Sequence, residues 1–187
     1  RELSVKCHQN NLVFSVDNYV PQSYNSHYDL KEQGIVADYV VIMAYDEHYS
    51  GSEEAGSVSS IGFVNDAVSK ITGMVSEERV IMALPFYTRL WKLSNEGLTS
   101  AAYSMSGAQS ILDDRKVKPS WDTATGQYYA EYQEGGATFQ IWLEEEKSIE
   151  EKLKAVTQGG VHNVSFWRLG FEKTEVWNTV ANYINAN

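Results

Sequence analysis

The sequence predicts an α/β protein built on a parallel sheet, and three observations carry that expectation. Short apolar runs recur along the chain without strict alternation of apolar and polar residues, as strands covered on both faces require. Segments with helical spacing of apolar residues lie between and after those runs. Strand and helix alternate through four units, which right-handed crossovers would assemble into a doubly wound sheet or a segment of a barrel.

The first run is Leu12-Val-Phe-Ser-Val16, and Tyr28 to Gly34 supplies a short helical piece after it. The second is Tyr39-Val-Val-Ile-Met-Ala44. Ile61, Val64, Val68 and Ile71 then recur at helical spacing between Ser60, an N-cap residue, and Gly73, a C-terminal stop. Val80-Ile-Met-Ala-Leu84 is the third run. The stretch from Lys92 to about Glu146 is too long for a connection and carries patterns of its own. Ala108, Ile111 and Leu112 are helix-like, whereas Tyr128-Tyr-Ala-Glu-Tyr132 and Thr138-Phe-Gln-Ile-Trp142 are strand-like. Residues 92–146 therefore read as a small α+β insertion at the C-terminal end of the third strand, with 1–91 and 147–187 forming the main body. Ser148-Ile-Glu-Glu151 reads as a capping box that opens a helix burying Ile149, Leu153 and Val156 and ending at Gly159-Gly160. Val161 to Trp167 is the fourth strand, and a last helix from about Glu175 places Val176, Val180, Tyr183 and Ile184 on one face.

The composition narrows the function. A chain of 187 residues with 43% hydrophobic content can bury a real core. It falls short of the roughly 250 residues of a complete eight-fold barrel. Lys and Arg number 15 against 25 Asp and Glu, and a net charge of -10 argues against nucleic acid as a partner. No run approaches the roughly 18 apolar residues of a membrane span. Cys7 stands alone, so neither an intramolecular disulfide nor a cysteine zinc site is available to it. The N-terminal Arg1-Glu-Leu-Ser-Val-Lys6 is neither a signal peptide nor an initiator Met, and the chain is expected to begin within a longer protein.

Candidate chemistry gathers where apolar strands meet their loops, which is where α/β enzymes carry function. The second strand ends in Met43-Ala-Tyr-Asp46, followed by Glu47-His48-Tyr49. The third leaves through Leu84-Pro-Phe-Tyr-Thr-Arg-Leu-Trp91, which brings Tyr87, Arg89 and Trp91 to the same rim. The fourth leaves through Phe166-Trp-Arg-Leu-Gly170, with Trp167 at its end. Flat aromatic faces flanked by hydrogen-bonding groups suit pyranose rings, whose faces are apolar and whose edges are hydroxyls. A metal site at Asp46, Glu47 and His48 is a weaker reading, because adjacent loop residues seldom point at one ion. No metal or cofactor is expected.

These segments resemble a known family. Met43-Ala-Tyr-Asp46 is similar to the Met-x-Tyr-Asp motif on the sixth strand of family 18 (chitinase-like) glycoside hydrolases. Pro85-Phe-Tyr-Thr-Arg-Leu-Trp91 resembles the seventh-strand segment and Val164-Ser-Phe-Trp-Arg-Leu-Gly170 the eighth. Trp121-Asp122, Tyr128-Tyr129 and Gln140-Ile-Trp-Leu143, ahead of Ser148-x-x-Glu-Lys152, resemble the α+β insertion common after the seventh strand. Tyr45-Asp-Glu-His48 and the Gly51 to Ser60 loop are most similar to bacterial cell-wall and spore-cortex members of N-acetylglucosaminidase type. The resemblance implies the C-terminal half of a (β/α)8 barrel, strands five to eight. It also implies an N-acetylated glycan as partner, chitin or peptidoglycan, and an extracellular or cell-wall and spore-associated setting.

By the same resemblance, hydrolysis is substrate-assisted and retaining: a Glu protonates the leaving oxygen while the substrate's own acetamido oxygen attacks the anomeric carbon. Tyr45 and Asp46 would carry the catalytic roles, Tyr45 aligning the acetamido group and Asp46 contacting the distorted sugar. Met43 would line the pocket, Trp167 would floor the cleaved sugar's subsite, and Tyr87, Arg89 and Trp91 would complete the substrate contacts. The family's acid lies in an Asp-x-x-Asp-x-Asp-x-Glu string on the fourth strand, and no such string occurs here. Arg1 to Gln9 resembles the helix after that strand, so the acid is expected just upstream and the fragment alone is expected to be inactive. The competing reading is a carbohydrate-binding, lectin-like relative without the acid. Open sheet edges left by the absent strands are expected to be covered by the N-terminal half of the barrel or by self-association.

Overall fold

A computed structural model describes residues 1–186. In chain order it runs α1 (Glu2–Gln9), β1 (Ser15–Tyr19), α2 (Leu30–Val36), β2 (Tyr39–Met43), α3 (Ile61–Thr72) and β3 (Val80–Pro85). Next come β4 (Tyr87–Ser94), β5 (Gly97–Ser104), α4 (Met105–Arg115), β6 (Ser120–Asp122), β7 (Gln127–Glu134) and β8 (Ala137–Leu143). Then follow α5 (Glu146–Gln158), β9 (Asn163–Trp167) and α6 (Val176–Ala186).

Two sheets result. The first has four parallel strands in the order β1-β2-β3-β9, and the second has five antiparallel strands in the order β5-β4-β8-β7-β6. The second sheet lies in sequence between β3 and α5. Side chains alternate across a strand. On β2, Val40 and Ile42, with Ala44 just beyond, are fully buried against the helices in the main core with Val64, Val68, Ile71, Leu153 and Val156. The opposite face aligns Asp17 with Val41, Tyr19 with Met43, Met43 with Ala83, Ala83 with Ser165, and Pro85 with Trp167. A smaller core joins α4 to the second sheet through Leu90, Ala108, Leu112, Ala130, Ile141 and Leu143.

Local chemistry sets the element ends. Ser60 accepts a bond from the Phe63 amide and α3 stops at Gly73, as the sequence suggested. Asp29 caps α2 by accepting from the Glu32 amide. At α5 the capping box is reversed: the N-cap is Glu145, which accepts from the Ser148 amide while the Ser148 hydroxyl accepts from the Glu145 amide. The helix thus opens earlier than Ser148. The first strand also differs from its expected place, since Leu12 and Val13 are exposed and the ladder with β2 begins at Ser15 opposite Tyr39. Asp38 fixes that register, its carboxylate accepting from the Phe14 amide at 2.7 Å and its own amide donating to the Phe14 carbonyl at 2.8 Å. Polar Asp17 and Asn18 therefore sit in the strand, and buried Asn18 is satisfied by Gln33 and the Val16 carbonyl.

Where the two sheets, α5 and the loop after β2 meet, Lys152 and Glu144 form an ion pair with essentially no solvent exposure. Burial pushes the Glu144 carboxyl up and the Lys152 ammonium down from their ordinary values, and each opposes the other's shift. Ser148 and Gln127 donate to Glu144 at 2.7 and 2.8 Å. Removing one partner strands a buried charge, whereas removing both does not. Lys152→Met is therefore expected to lower unfolding free energy by about 3–5 kcal/mol in urea titrations. The Glu144→Gln, Lys152→Met double variant is expected to stay close to wild type.

Candidate active site

The loop that leaves β2 places its polar residues by a chain of backbone bonds. The Ala44 amide donates to the Ala83 carbonyl at 2.9 Å, which extends the β2–β3 pairing beyond the strand end. The Ser59 hydroxyl donates to the Ala44 carbonyl at 2.7 Å, and the Glu47 amide donates to the Val58 carbonyl at 2.9 Å. Between those points Asp46 has φ +58°, a left-handed conformation that a non-glycine residue adopts only when its surroundings enforce it. The result aims the Asp46 carboxylate across the end of the sheet, where the Tyr87 hydroxyl donates to its Oδ1.

Tyr45 lies half-buried beside this pair, its ring edge-on to that of Tyr87 with centroids 6.1 Å apart. Burial, then the negative charges of Asp46 and Asp17, push the Tyr45 phenol up to about 12. Tyr87 is raised further still, first by burial and then by its hydrogen bond to Asp46. Both phenols are neutral donors at physiological pH, next to an exposed carboxylate. Met43 lies on the same sheet face, opposite Tyr19 and Ala83 in the ladders.

The residues after β3 do not continue its rim. β3 ends at Pro85, and Tyr87, Arg89 and Trp91 share one face of β4. Trp91 is 1% exposed and donates its indole N–H to the Gly56 carbonyl at 2.8 Å. It has no face to offer a ligand, a correction to its expected role in substrate contact; the apolar ring is needed beneath the loop. Arg89 donates to Ser100 at 3.0 Å, and its Nε is buried with no hydrogen-bond partner among the described residues. It lies close enough to Tyr87 for its charge to oppose that phenol's rise. Trp167 ends β9 opposite Pro85, is 55% exposed, and is followed by a cis peptide to Arg168.

The three acidic and basic neighbours diverge. Asp46 meets Tyr87, the Glu47 carboxylate accepts from the Ser60 amide and hydroxyl, and His48 donates to the Ser57 carbonyl at 2.8 Å. They do not converge on one ion. A cleft of about 630 Å³ adjoins Tyr45 and Asp46 and is lined also by Tyr19, Tyr24, Tyr49 and Phe63. Sequence reading missed Tyr19 and Asp17, because both lie beyond the apolar run taken for the first strand. The tyrosine at the true strand end, Tyr19, was the signal available.

Unfolding would expose phenols that ionise near 10, while folded Tyr45 titrates at about 12. A raised folded value adds stability that is fully present below pH 10 and lost as pH climbs through 12. Phenolate absorbance is expected to show at least three tyrosines silent at pH 11, Tyr45, Tyr87 and Tyr129, and Tyr45→Phe is expected to flatten the decline of stability across that window.

Relatives share this architecture. A cortical fragment-lytic enzyme of Bacillus anthracis is 26% identical over 153 residues, 80% of this chain and 35% of its own length. The cortical fragment-lytic enzyme of Bacillus subtilis is 25% identical over 166 residues, 87% of this chain and 38% of its own. The chain thus spans between a third and two fifths of these relatives. Among solved structures, a chitinase from Chromobacterium violaceum superposes with TM-score 0.87 at 21% identity, covering 98% of this chain and 59% of that one. The spore cortex-lytic enzyme SleL of Bacillus megaterium gives TM-score 0.86 at 22% identity, covering 97% and 43%. Residues 2–172 match the glycosyl hydrolases family 18, and the chain belongs to that family.

Proposed function

We propose that this chain is the C-terminal half of a family 18 (β/α)8 barrel, strands five to eight, with the antiparallel sheet inserted after the seventh. It would serve a glycosidase that cleaves β-1,4 linkages beside N-acetylglucosamine in chitin or peptidoglycan. The observation that carries this reading is the Asp46 carboxylate, held in a left-handed turn at the carboxyl end of β2 and joined to the Tyr87 hydroxyl beside Tyr45. The cortex-lytic relatives favour a spore or cell-wall setting.

In this reading the substrate's acetamido oxygen attacks the anomeric carbon as the glycosidic bond breaks, and an acid outside this sequence protonates the leaving oxygen. Neutral Tyr45 donates to the acetamido group and aligns the attack. Asp46, with Oδ1 engaged by Tyr87, faces the positive charge that grows on the sugar and oxazolinium. Exposed Trp167 floors the sugar ring, and Met43 lines the pocket. Tyr87 and Arg89 hold neighbouring hydroxyls. Strands β1 and β9 form the two edges of the parallel sheet, and the other half of the barrel, or a second copy, would pair with them.

The chain alone is expected to show no turnover of chitooligosaccharides or peptidoglycan fragments above an Asp46→Asn control. In the complete barrel, Asp46→Asn and Tyr45→Phe are each expected to lower kcat by the equivalent of about 2–4 kcal/mol while KM changes little. A change confined to KM would reduce both to binding residues. A complete barrel that binds the glycan without cleaving it would favour a lectin-like role.

A further inference from the structure

The turn that aims Asp46 is fixed from outside the parallel sheet. Lys152 donates to Glu144, Gln127 donates to Glu144 at 2.8 Å, and the Ser57 hydroxyl donates to the other end of the Gln127 amide. These side chains belong to α5, the end of β8, β7 and the β2–α3 loop, and none is more than 3% exposed. We infer that Lys152, Glu144, Gln127 and Ser57 form a buried polar relay that positions Asp46, so that the antiparallel sheet sets the geometry of the site.

The relay has a direction. A carboxylate accepts and cannot donate, so Gln127 must turn its NH2 toward Glu144 and its oxygen toward Ser57. That gives Ser57 an acceptor and leaves its own oxygen for the Ser59 amide, bonded at 2.9 Å. The Ser59 hydroxyl then holds the Ala44 carbonyl, and Val58 holds the Glu47 amide, the two points that bracket Asp46. Lys152 donates to Glu144 and opposes the rise that burial imposes on its carboxyl, which favours an acceptor at this end of the chain. An apolar cluster would pack as well, but it would leave the loop free to choose among hydrogen-bond patterns. The four are positioning residues for Asp46, and the inference rests on Asp46 being a site residue.

The test reads the backbone and needs no turnover. Nitrogen-15 correlated NMR spectra of this chain report the Asp46 and Glu47 amides, and proton spectra report the Tyr87 hydroxyl, assigned by its loss in Tyr87→Phe. Gln127→Met, and the Glu144→Gln, Lys152→Met double variant whose stability is expected to hold, should shift both amides and abolish the hydroxyl resonance. Leu112→Ala, a cavity in the α4 core away from the relay, should lower Tm and leave all three resonances in place. The inference is overturned if the relay variants leave the resonances unmoved, or if Leu112→Ala moves them equally. Should Gln127→Met fail to fold, the double variant decides. Oligosaccharide binding is titrated separately on the wild type, so a failure of the glycan reading there is distinct from a failure of the relay.

Discussion

One residue connects β3 to β4, and that constraint brings Tyr87 to the site. β3 ends at Pro85 and β4 begins at Tyr87, leaving Phe86 as the whole connection. Phe86 is fully buried, stacks on Phe166 at 4.4 Å with ring planes 6° apart, and meets Trp177 edge-on. Its amide donates to the Trp167 carbonyl at 2.7 Å. With both side chain and backbone held, the direction in which β4 departs is fixed by the parallel sheet itself. Tyr87 therefore arrives at Asp46 as a consequence of strand geometry, and Trp91, two alternations along the same face, arrives beneath Gly56.

That arrangement explains why the site can hold a carboxylate and two phenols without a neutralising cation bonded to them. Tyr45 and Tyr87 are raised by burial and by the Asp46 charge, so neither competes to become an anion. Asp46 is exposed and accepts from the Tyr87 hydroxyl, its one hydrogen-bond donor among the described residues. A group that must answer positive charge during a reaction gains from such an environment, because the dipoles around it are already oriented.

Much of this was legible in the sequence, and the failures have physical causes. β2 and β3 were readable because both faces of a buried parallel strand demand apolar residues, and α3 because Ser60 and Gly73 bracket a periodic segment. β1 was displaced because its apolar residues Leu12 and Val13 precede the ladder while Asp17 and Asn18 occupy it. Hydrophobicity cannot report a register that Asp38 fixes through backbone bonds. Tyr45, Asp46 and Trp167 stood out in the sequence because they lie where apolar strands meet their loops. Trp91 was misjudged because an aromatic near a rim reads alike whether it faces a ligand or a loop. The distinction lies in the Gly56 carbonyl, contributed from 35 residues away in sequence.

The displaced strand also changes how far the site extends. With Ser15 opposite Tyr39, Asp17 and Tyr19 lie on the same sheet face as Met43 and Tyr45, and Asn18 turns toward the helices. Had the ladder begun at Leu12, the face beside Tyr45 would be apolar and the phenol would feel burial and Asp46 alone. Instead Asp17 adds a second negative charge that holds Tyr45 protonated. The electrostatics of the site therefore begin one strand earlier than the loop residues that define it, inside the sheet.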